Sequence, residues 1–154
     1  MIRKTGSVVI EPANLLTRIM ATIIREFFVS ASAETAWSAI RDYGAVHHRL
    51  APGLVTDVRL EDDVRIVSLS TGLVLRELLV TIDDEARRLV YASTGGRAKH
   101  HNASLQVFPS GPNECRIVWL TDVLPAELVE PISGLIEQAV PIMQRTLEQA
   151  AQAG

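Results

Sequence analysis

The amino-acid sequence predicts an α+β fold, in which an antiparallel sheet of about seven strands wraps around one long C-terminal helix. The middle of the chain has short strand-like runs joined by turn-rich connections, a pattern typical of an antiparallel meander. The last part carries an apolar stripe at helical spacing, and only this element is long enough to cover the apolar face of the sheet. The 154 residues suffice for one domain with its own core.

The start of the chain differs in character from the rest. A basic beginning is followed by a short apolar run that Glu11 and Pro12 interrupt, which makes the run too short for a secretory signal. We therefore expect residues 1–20 to form an extension whose removal hardly changes the melting temperature. A single domain is predicted over residues 21–150, followed by a tail of residues 151–154.

The first strand and two short helices are expected at the start of the domain. Residues Ala21–Ser30 are rich in β-branched and aromatic residues and predict a strand. Ser32 stands where a helix N-cap belongs, and the apolar residues after it have helical spacing, so Ala33–Arg41 is predicted to be helical. The segment Asp42–Gly53 is expected to form a second short helix and a loop.

Six further strands are predicted, in three pairs that each flank a turn. The turn at Pro109–Asn113 has the clearest signal, because it combines proline, glycine and asparagine. The predicted strands are Leu54–Leu60, Val64–Ser70, Leu73–Ile82, Arg88–Ser93, Lys99–Phe108 and Glu114–Val123.

The C-terminal helix is expected from about Pro131, since proline is favoured in the first turn of a helix. Pro141 lies inside the helix and removes one backbone hydrogen bond, so a kink is predicted near Glu137–Val140. The apolar stripe consists of Ile132, Leu135, Ile136, Ala139, Val140, Met143 and Leu147.

The composition argues against several classes of protein. The formal net charge is −3 and no run of four basic residues occurs, so no nucleic-acid partner is expected. The sequence contains no stretch of 18 apolar residues, so no membrane span is predicted. Cys115 is the single cysteine and cannot form an intramolecular disulfide, which fits a cytoplasmic location.

No metal or other cofactor is predicted. The histidines form two adjacent pairs, His47-His48 and His100-His101, and adjacent residues of a strand point to opposite faces of the sheet. Gly95-Gly96 lies between two predicted strands and lacks the strand-to-helix context of a phosphate-binding loop.

A series of residues between Leu75 and Ser104 carries a resemblance to a known superfamily. The series consists of Arg76-Glu77-Leu78, Asp83-Asp84-Glu85, Arg87-Arg88, Tyr91, Gly95-Gly96 and Asn102. It resembles the START/Bet v 1-like superfamily (SRPBCC), in particular its bacterial polyketide cyclase/dehydrase-like branch, and it is similar to the plant abscisic-acid receptors over this segment.

The resemblance implies the helix-grip fold, with a cavity between the sheet and the C-terminal helix that holds an apolar small molecule. It does not extend to hormone recognition. Val74 stands where the receptors' gate has a proline, and Ala98-Lys99-His100 stands where their latch has His-Arg-Leu. The lysine that meets the hormone's carboxylate has no clear counterpart in this sequence.

Glu77 is the main candidate for a polar residue in that cavity. Both faces of its predicted strand are apolar, so the alternation leaves its direction open, whereas the resemblance implies that it faces the cavity. There it would anchor a ligand or act as an acid or base. The alternative is an outward carboxylate bonded to Arg76 or Arg88. A Glu77→Leu change is predicted to spare stability in the first case and to lower it if an arginine depends on Glu77.

If the hairpins close tightly, Tyr91 and His101 line up with Glu77 in one row across three strands. Glu77 and His101 would then lie about 10 Å apart and could act as acid and base around a ligand. Alternatively, His101 only donates hydrogen bonds in a wet cavity, and no catalytic residue is assigned. Trp119 is predicted to be core or cavity wall, and Lys99 to attract an anionic head group or to be simply solvated.

The predicted ligand-binding residues combine an apolar wall with a few polar groups, as small-molecule sites usually do. They are Leu73, Leu75, Glu77, Leu79, Tyr91, Ser93, Lys99, His101, Ala103, Leu105, Trp119, Leu135, Ala139 and Met143.

Three functions are compatible with this interpretation. The first is binding or transport of a hydrophobic small molecule, such as a lipid, a polyketide or an aromatic compound. It is favoured because the sequence lacks a strong catalytic constellation. The second is an enzyme of the polyketide cyclase or dehydratase type, and the third is a protein-interaction module or a homodimer.

Overall fold

A computed structural model describes residues 21–154 of the chain. The predicted N-terminal extension, residues 1–20, lies outside the described residues. The elements are β1 (Ala21–Val29), α1 (Ala33–Arg41), α2 (Val46–Arg49), β2 (Val55–Glu61), β3 (Val64–Leu69), β4 (Val74–Asp83), β5 (Arg88–Thr94), β6 (His100–Pro109), β7 (Cys115–Leu124), a short 3-10 helix (Ala126–Leu128) and α3 (Val129–Ala153).

The seven strands form one antiparallel sheet in the order β1-β7-β6-β5-β4-β3-β2. Successive strands from β2 to β7 are neighbours, whereas β1 pairs with β7 at the far edge. The chain therefore crosses from one edge of the sheet to the other through α1 and α2. This arrangement confirms the predicted α+β helix-grip fold, including the two short helices after the first strand.

Helix α1 begins as the sequence predicts. The Ser32 hydroxyl accepts a hydrogen bond from the backbone N–H of Thr35 at 3.0 Å, which satisfies one of the free donors of the first turn. Its buried face includes Trp37 and Ile40. The Trp37 indole N–H donates to Asp84 in the β4–β5 turn at 2.9 Å, so α1 is hydrogen-bonded to the turn that connects two central strands of the sheet.

Helix α3 packs its apolar stripe against the inner face of the sheet. Ile136, Ala139, Met143 and Leu147 are buried, and they share hydrophobic clusters with inward residues of the strands. The helix begins at Val129, two residues before Pro131, and it runs through Pro141 as one element to Ala153. Residues 151–153, predicted to belong to a tail, thus continue the helix.

The alternation along β3 and β4 decides which side chains face α3. On β3, Arg65, Val67 and Leu69 are buried on the inner face, while the residues between them are half-buried on the outer face. On β4, Leu75 and Glu77 face inward, and the outward Val74 and Leu78 are exposed. A sheet with one face against a helix and the other toward solvent explains this pattern.

Candidate functional site

A cavity lies between the inner face of the sheet and α3, and α2 with the segment after it closes one side. Its volume is about 100 Å³, and most of its wall is apolar. Two charged side chains from the described part of the chain line it, Arg65 and Glu77. The structure therefore contains the kind of space that the sequence predicts, although the space is small.

Nine of the predicted site residues line this cavity. They come from β4, β5, β6, β7 and α3, which is why no local sequence motif contains them. They are Leu75, Glu77, Tyr91, His101, Leu105, Trp119, Leu135, Ala139 and Met143.

The other five predicted residues lie elsewhere. Leu73 belongs to the turn between β3 and β4 and is 51% exposed, because β4 begins one residue later than predicted. Lys99 precedes β6 and is exposed. Leu79 and Ala103 pack into the core beside the cavity. Ser93 lies on β5 directly opposite Glu77, next to the lining residues.

The predicted row of Glu77, Tyr91 and His101 is wrong in its register. Glu77 pairs with Ser93, whereas Tyr91 pairs with Leu79 on one side and with Ala103 on the other. The pairing of β4 with β5 starts at Asp83 and Arg88 and shifts by one residue at an irregularity between Leu79 and Thr81, so Glu77 lies opposite Ser93, two residues from the expected Tyr91. The three residues nevertheless share the inner face and line the same cavity.

Arg65 is the functional candidate that sequence reasoning missed. It lies on β3 directly opposite Glu77 and is only 5% exposed. Its Nε donates to Oε2 of Glu77 at 2.5 Å. Glu77 is therefore neither outward nor bonded to Arg76 or Arg88. A signal was present, because a hairpin centred on Thr71 places residues 65 and 77 opposite each other.

Two tyrosines enclose this ion pair. The Tyr43 hydroxyl donates to the backbone carbonyl of Glu77 at 2.6 Å, and the Arg65 guanidinium donates to the backbone carbonyl of Tyr43 at 3.3 Å. The guanidinium carbon lies 4.1 Å from the centre of the Tyr43 ring and 5.0 Å from that of Tyr91. A guanidinium stacked on aromatic faces retains favourable contacts out of water.

The chain matches the sequence model of a family described as polyketide cyclase / dehydrase and lipid transport, over residues 20–154. This match covers more than half of the chain. The chain belongs to the polyketide cyclase / dehydrase and lipid transport family. No curated protein matches the sequence.

Several solved structures share the fold of this polyketide cyclase / dehydrase family member. An uncharacterised Bacillus thuringiensis protein has a TM-score of 0.75 at 17% identity, and the matched region covers 82% of this chain and 98% of that protein's chain. A norcoclaurine synthase from Thalictrum flavum, in complex with dopamine and hydroxybenzaldehyde, has a TM-score of 0.70 at 20% identity, covering 98% and 97%. A START superfamily protein from Mycobacterium smegmatis has a TM-score of 0.64 at 16% identity, covering 86% and 97%.

The electrostatics of this family member's cavity favour neutral side chains around the ion pair. Burial raises the pKa of Tyr43 and of Tyr91 well above the usual value, and the Glu77 carboxylate adds to both shifts. Burial lowers the pKa of His101, although Glu77 opposes the shift. Burial is the largest single effect on the pKa of Arg65 and lowers it, but the attraction and hydrogen bond of Glu77 together with the two tyrosines outweigh burial, so the net shift is upward and the guanidinium stays charged.

Among residues 21–154, two polar groups in or next to the cavity wall have no partner at good hydrogen-bond geometry. They are the indole N–H of Trp119 and the hydroxyl of Ser93, and both atoms are closed off from solvent. Buried polar groups in folded proteins are nearly always paired, so such exceptions call for an explanation. The Trp119 indole lies close enough to the Tyr91 hydroxyl to lower the pKa of that phenol by hydrogen bonding, although burial raises this pKa by more.

Within residues 21–154, no three His, Cys, Asp or Glu side chains are grouped as metal ligands would be. His101 lines the cavity, whereas its neighbour His100 is exposed. In the same part of the chain, no helix has both the length and the apolar character needed to cross a membrane.

Proposed function

We propose that this protein binds a hydrophobic small molecule, such as a lipid, a polyketide or an aromatic compound, in the cavity between the sheet and α3. The observation that carries the proposal is the apolar cavity itself, whose only charged lining residues among those described are the mutually paired Arg65 and Glu77. Apolar walls supply affinity, and sparse polar groups set orientation. Membership of a family that includes lipid transport supports this role.

The size of the cavity restricts the ligand. An apolar cavity of about 150 Å³ holds one benzene molecule, whereas this one measures about 100 Å³. A single aromatic ring therefore requires a small outward adjustment. A polycyclic compound requires α2 or the first half of α3 to move, where Ile132 and Leu135 are only half-buried. The similar norcoclaurine synthase structure contains dopamine and hydroxybenzaldehyde, which are single-ring compounds.

An enzyme of the cyclase or dehydratase type is the second candidate, because His101 and Glu77 line the same cavity. A general base must have a free acceptor within reach of the proton that it removes. One of the two carboxylate oxygens of Glu77, Oε2, is bonded to Arg65, and both tyrosines have raised pKa values. Burial lowers the pKa of His101. No paired acid and base is thus assembled by these residues, which favours binding over catalysis.

Mass spectrometry under non-denaturing conditions tests the proposal. We expect protein purified from cells to carry an apolar adduct that denaturation releases. Ala139 is buried in α3 and lines the cavity, so Ala139→Leu fills part of the space and should abolish the adduct. Ala153→Leu, at the exposed end of the same helix, is the matched control and should retain it.

Two observations together would contradict the proposal. Wild-type protein would carry no adduct, and no member of a panel of fatty acids, polyketide fragments and small aromatics would raise its melting temperature. A ligand that binds only the folded state must raise the melting temperature. The cavity would then be a packing defect and not a binding site.

A further inference from the structure

The outer face of β4 is more apolar than a strand that faces solvent normally is. When one face of a sheet packs against a helix, the residues on the other face are expected to be polar. Val74, Leu78 and Val80 are instead 57%, 39% and 52% exposed. Among residues 21–154, six large apolar side chains are exposed, and four of them belong to β4 or to the turn before it. The packing of a single chain does not account for this concentration.

The neighbouring strands extend this apolar surface. Leu78 lies opposite Val64 of β3 and Ala92 of β5, and directly opposite residues of an antiparallel pair share one face of the sheet. Ile66 is the next outward residue of β3 and, like Val64, is half-buried. Val80 has no partner on β5, because the register shifts there. The outer patch is defined as Val64, Ile66, Val74, Leu78, Val80 and Ala92.

Charged residues of β2 border the outer patch. Glu61 forms ion pairs with Arg59 at 2.9 Å and with Arg76 at 3.5 Å, and Arg76 lies on β4 between residues of the patch. Asp57 shares this face, because it lies opposite the outward Ser68 of β3. The two positive and two negative charges cancel. A neutral border offers nucleic acids and anionic membranes no electrostatic attraction, and it does not repel a second copy of the same face.

We propose that the outer patch is the contact surface of a homodimer, in which two copies of the sheet pack face to face about a two-fold axis. Such an axis brings a patch against an identical patch, so the surface has to be complementary to itself. The apolar side chains meet this requirement directly. Arg76 can pair with Glu61 of the second copy, because these side chains are 47% and 46% exposed in the single chain.

The size of the outer patch predicts a weak dimer. With strands about 4.8 Å apart and about 3.3 Å per residue, β2–β5 and the length from Val74 to Val80 form a face of about 19 by 23 Å. Two copies then bury about 900 Å², which is less than the roughly 1,200 Å² at which stable complexes begin. We therefore expect a dissociation constant of about 10–100 µM.

The outer patch and the cavity lie on opposite faces of the sheet. Glu77 points into the cavity, whereas its neighbour Leu78 belongs to the patch. Dimerisation therefore leaves the cavity accessible, and this inference does not depend on the proposed function. Substitutions in the patch should change the association of the protein and retain any apolar adduct.

Sedimentation velocity of the full chain tests the inference. The sedimentation coefficient should rise from the monomer value toward the dimer value between about 5 and 500 µM. Leu78→Glu places a charge in the middle of the patch and should weaken association at least about tenfold. Its melting temperature should stay near the wild-type value in dilute solution, since the position is exposed. Phe28→Glu, at an exposed position of β1 at the far edge of the sheet, is the matched control and should retain the dimer.

Charge reversal separates contacts between copies from contacts within one chain. Arg76→Glu makes the border acidic and Glu61→Arg makes it basic, so each variant alone should associate at least about tenfold more weakly than wild type. An equimolar mixture of the two should associate again, because opposite borders then face each other. An ion pair inside one chain cannot produce association between two different variants. Both positions are exposed, so this test also stands if Leu78→Glu fails to fold.

Other results would overturn the inference. A full chain that stays monomeric at about 500 µM is weaker than a surface of this size predicts, and the homodimer is then wrong. If deletion of residues 1–20 from such a monomer produces a dimer, that segment covers the patch in the intact chain. A dimer that withstands both Leu78→Glu and charge reversal uses another surface.

Discussion

Arg65 and Glu77 lie directly opposite each other on β3 and β4 and form a buried ion pair, with 2.5 Å between Nε of Arg65 and Oε2 of Glu77. The two side chains are 6% and 9% exposed. Transfer of two charges out of water costs several kcal/mol per ion, and mutual attraction offsets this cost only when the geometry is good and other hydrogen bonds are satisfied. The Tyr43 carbonyl and the two aromatic rings around the guanidinium meet part of that requirement.

Glu77→Leu should destabilise the protein. If Glu77 had no partner, it would be an unpaired buried carboxylate, and its replacement by leucine would not lower the free energy of unfolding. With Arg65 beside it, the substitution leaves a buried guanidinium without a counter-charge, and such a change costs about 3–5 kcal/mol. Urea unfolding followed by circular dichroism measures this loss. The midpoint urea concentration should fall, while the m-value stays similar.

A double substitution provides the control. Arg65→Met combined with Glu77→Leu removes both charges and replaces them with apolar side chains of similar volume, so stability should return to the wild-type value or exceed it. If the double variant is as unstable as Glu77→Leu alone, the instability comes from altered packing and not from the unpaired arginine.

Tyr43→Phe isolates the hydrogen bond that closes the cluster. The substitution keeps the ring against the Arg65 guanidinium and removes the hydroxyl that donates to the Glu77 carbonyl at 2.6 Å. A loss of about 0.5–1.5 kcal/mol is expected for one net hydrogen bond. Tyr91→Phe is a useful comparison, since its ring is farther from the guanidinium. An unchanged unfolding free energy for Tyr43→Phe would contradict a structural role of this hydroxyl.

His101 should make stability fall at acid pH. Burial lowers its pKa in the folded state below the ordinary value of 6.5, so the unfolded chain binds more protons below that pH. Its contribution is present above pH 6.5 and is lost as the pH falls through the lowered folded-state pKa. His101→Gln should flatten the stability profile in this window.

His100→Gln is the matched control for this pH effect, because His100 is its exposed neighbour on β6. Melting temperatures of the three proteins between pH 5 and 8 provide the comparison. If wild type and His101→Gln lose stability in parallel below pH 6.5, other groups cause the acid sensitivity.

The sequence predicts the order of elements well because the signals for them are local. The Ser32 cap, the strand-forming runs and the apolar stripe of α3 each depend on a few adjacent residues, and the structure confirms them. The inward direction of Glu77 came only from resemblance, since both faces of β4 are apolar in sequence. Leu73 was misplaced because a strand's first residue depends on the turn before it.

The part of the site that was not predicted depends on contacts between distant residues. Arg65 looks like any surface arginine on a strand until its pairing with Glu77 is known. The register error at Tyr91 has the same origin, because the pairing depends on the β4–β5 turn and on the irregularity between Leu79 and Thr81. Tyr43, after α1, meets the backbone of Glu77 across 34 positions of sequence. Such contacts are set by the packed fold, so short-range patterns do not reveal them.

Cys115 should be unreactive in the folded protein. It is fully buried at the start of β7, and burial raises the pKa of its thiol to about 11, with smaller contributions from Glu114 and Glu34. The thiolate is the reactive form, so at pH 8 both its low population and its lack of access slow the reaction with a disulfide reagent such as DTNB. We expect one thiol to react rapidly in 6 M guanidinium and at least about a hundredfold more slowly in buffer, where reaction requires local opening of the chain.

Glu114→Gln keeps the burial and removes the nearest carboxylate, so it should accelerate the native reaction only slightly. Rapid native labelling at pH 8 would mean that the β1–β7 edge, where Cys115 pairs with Val29, opens easily.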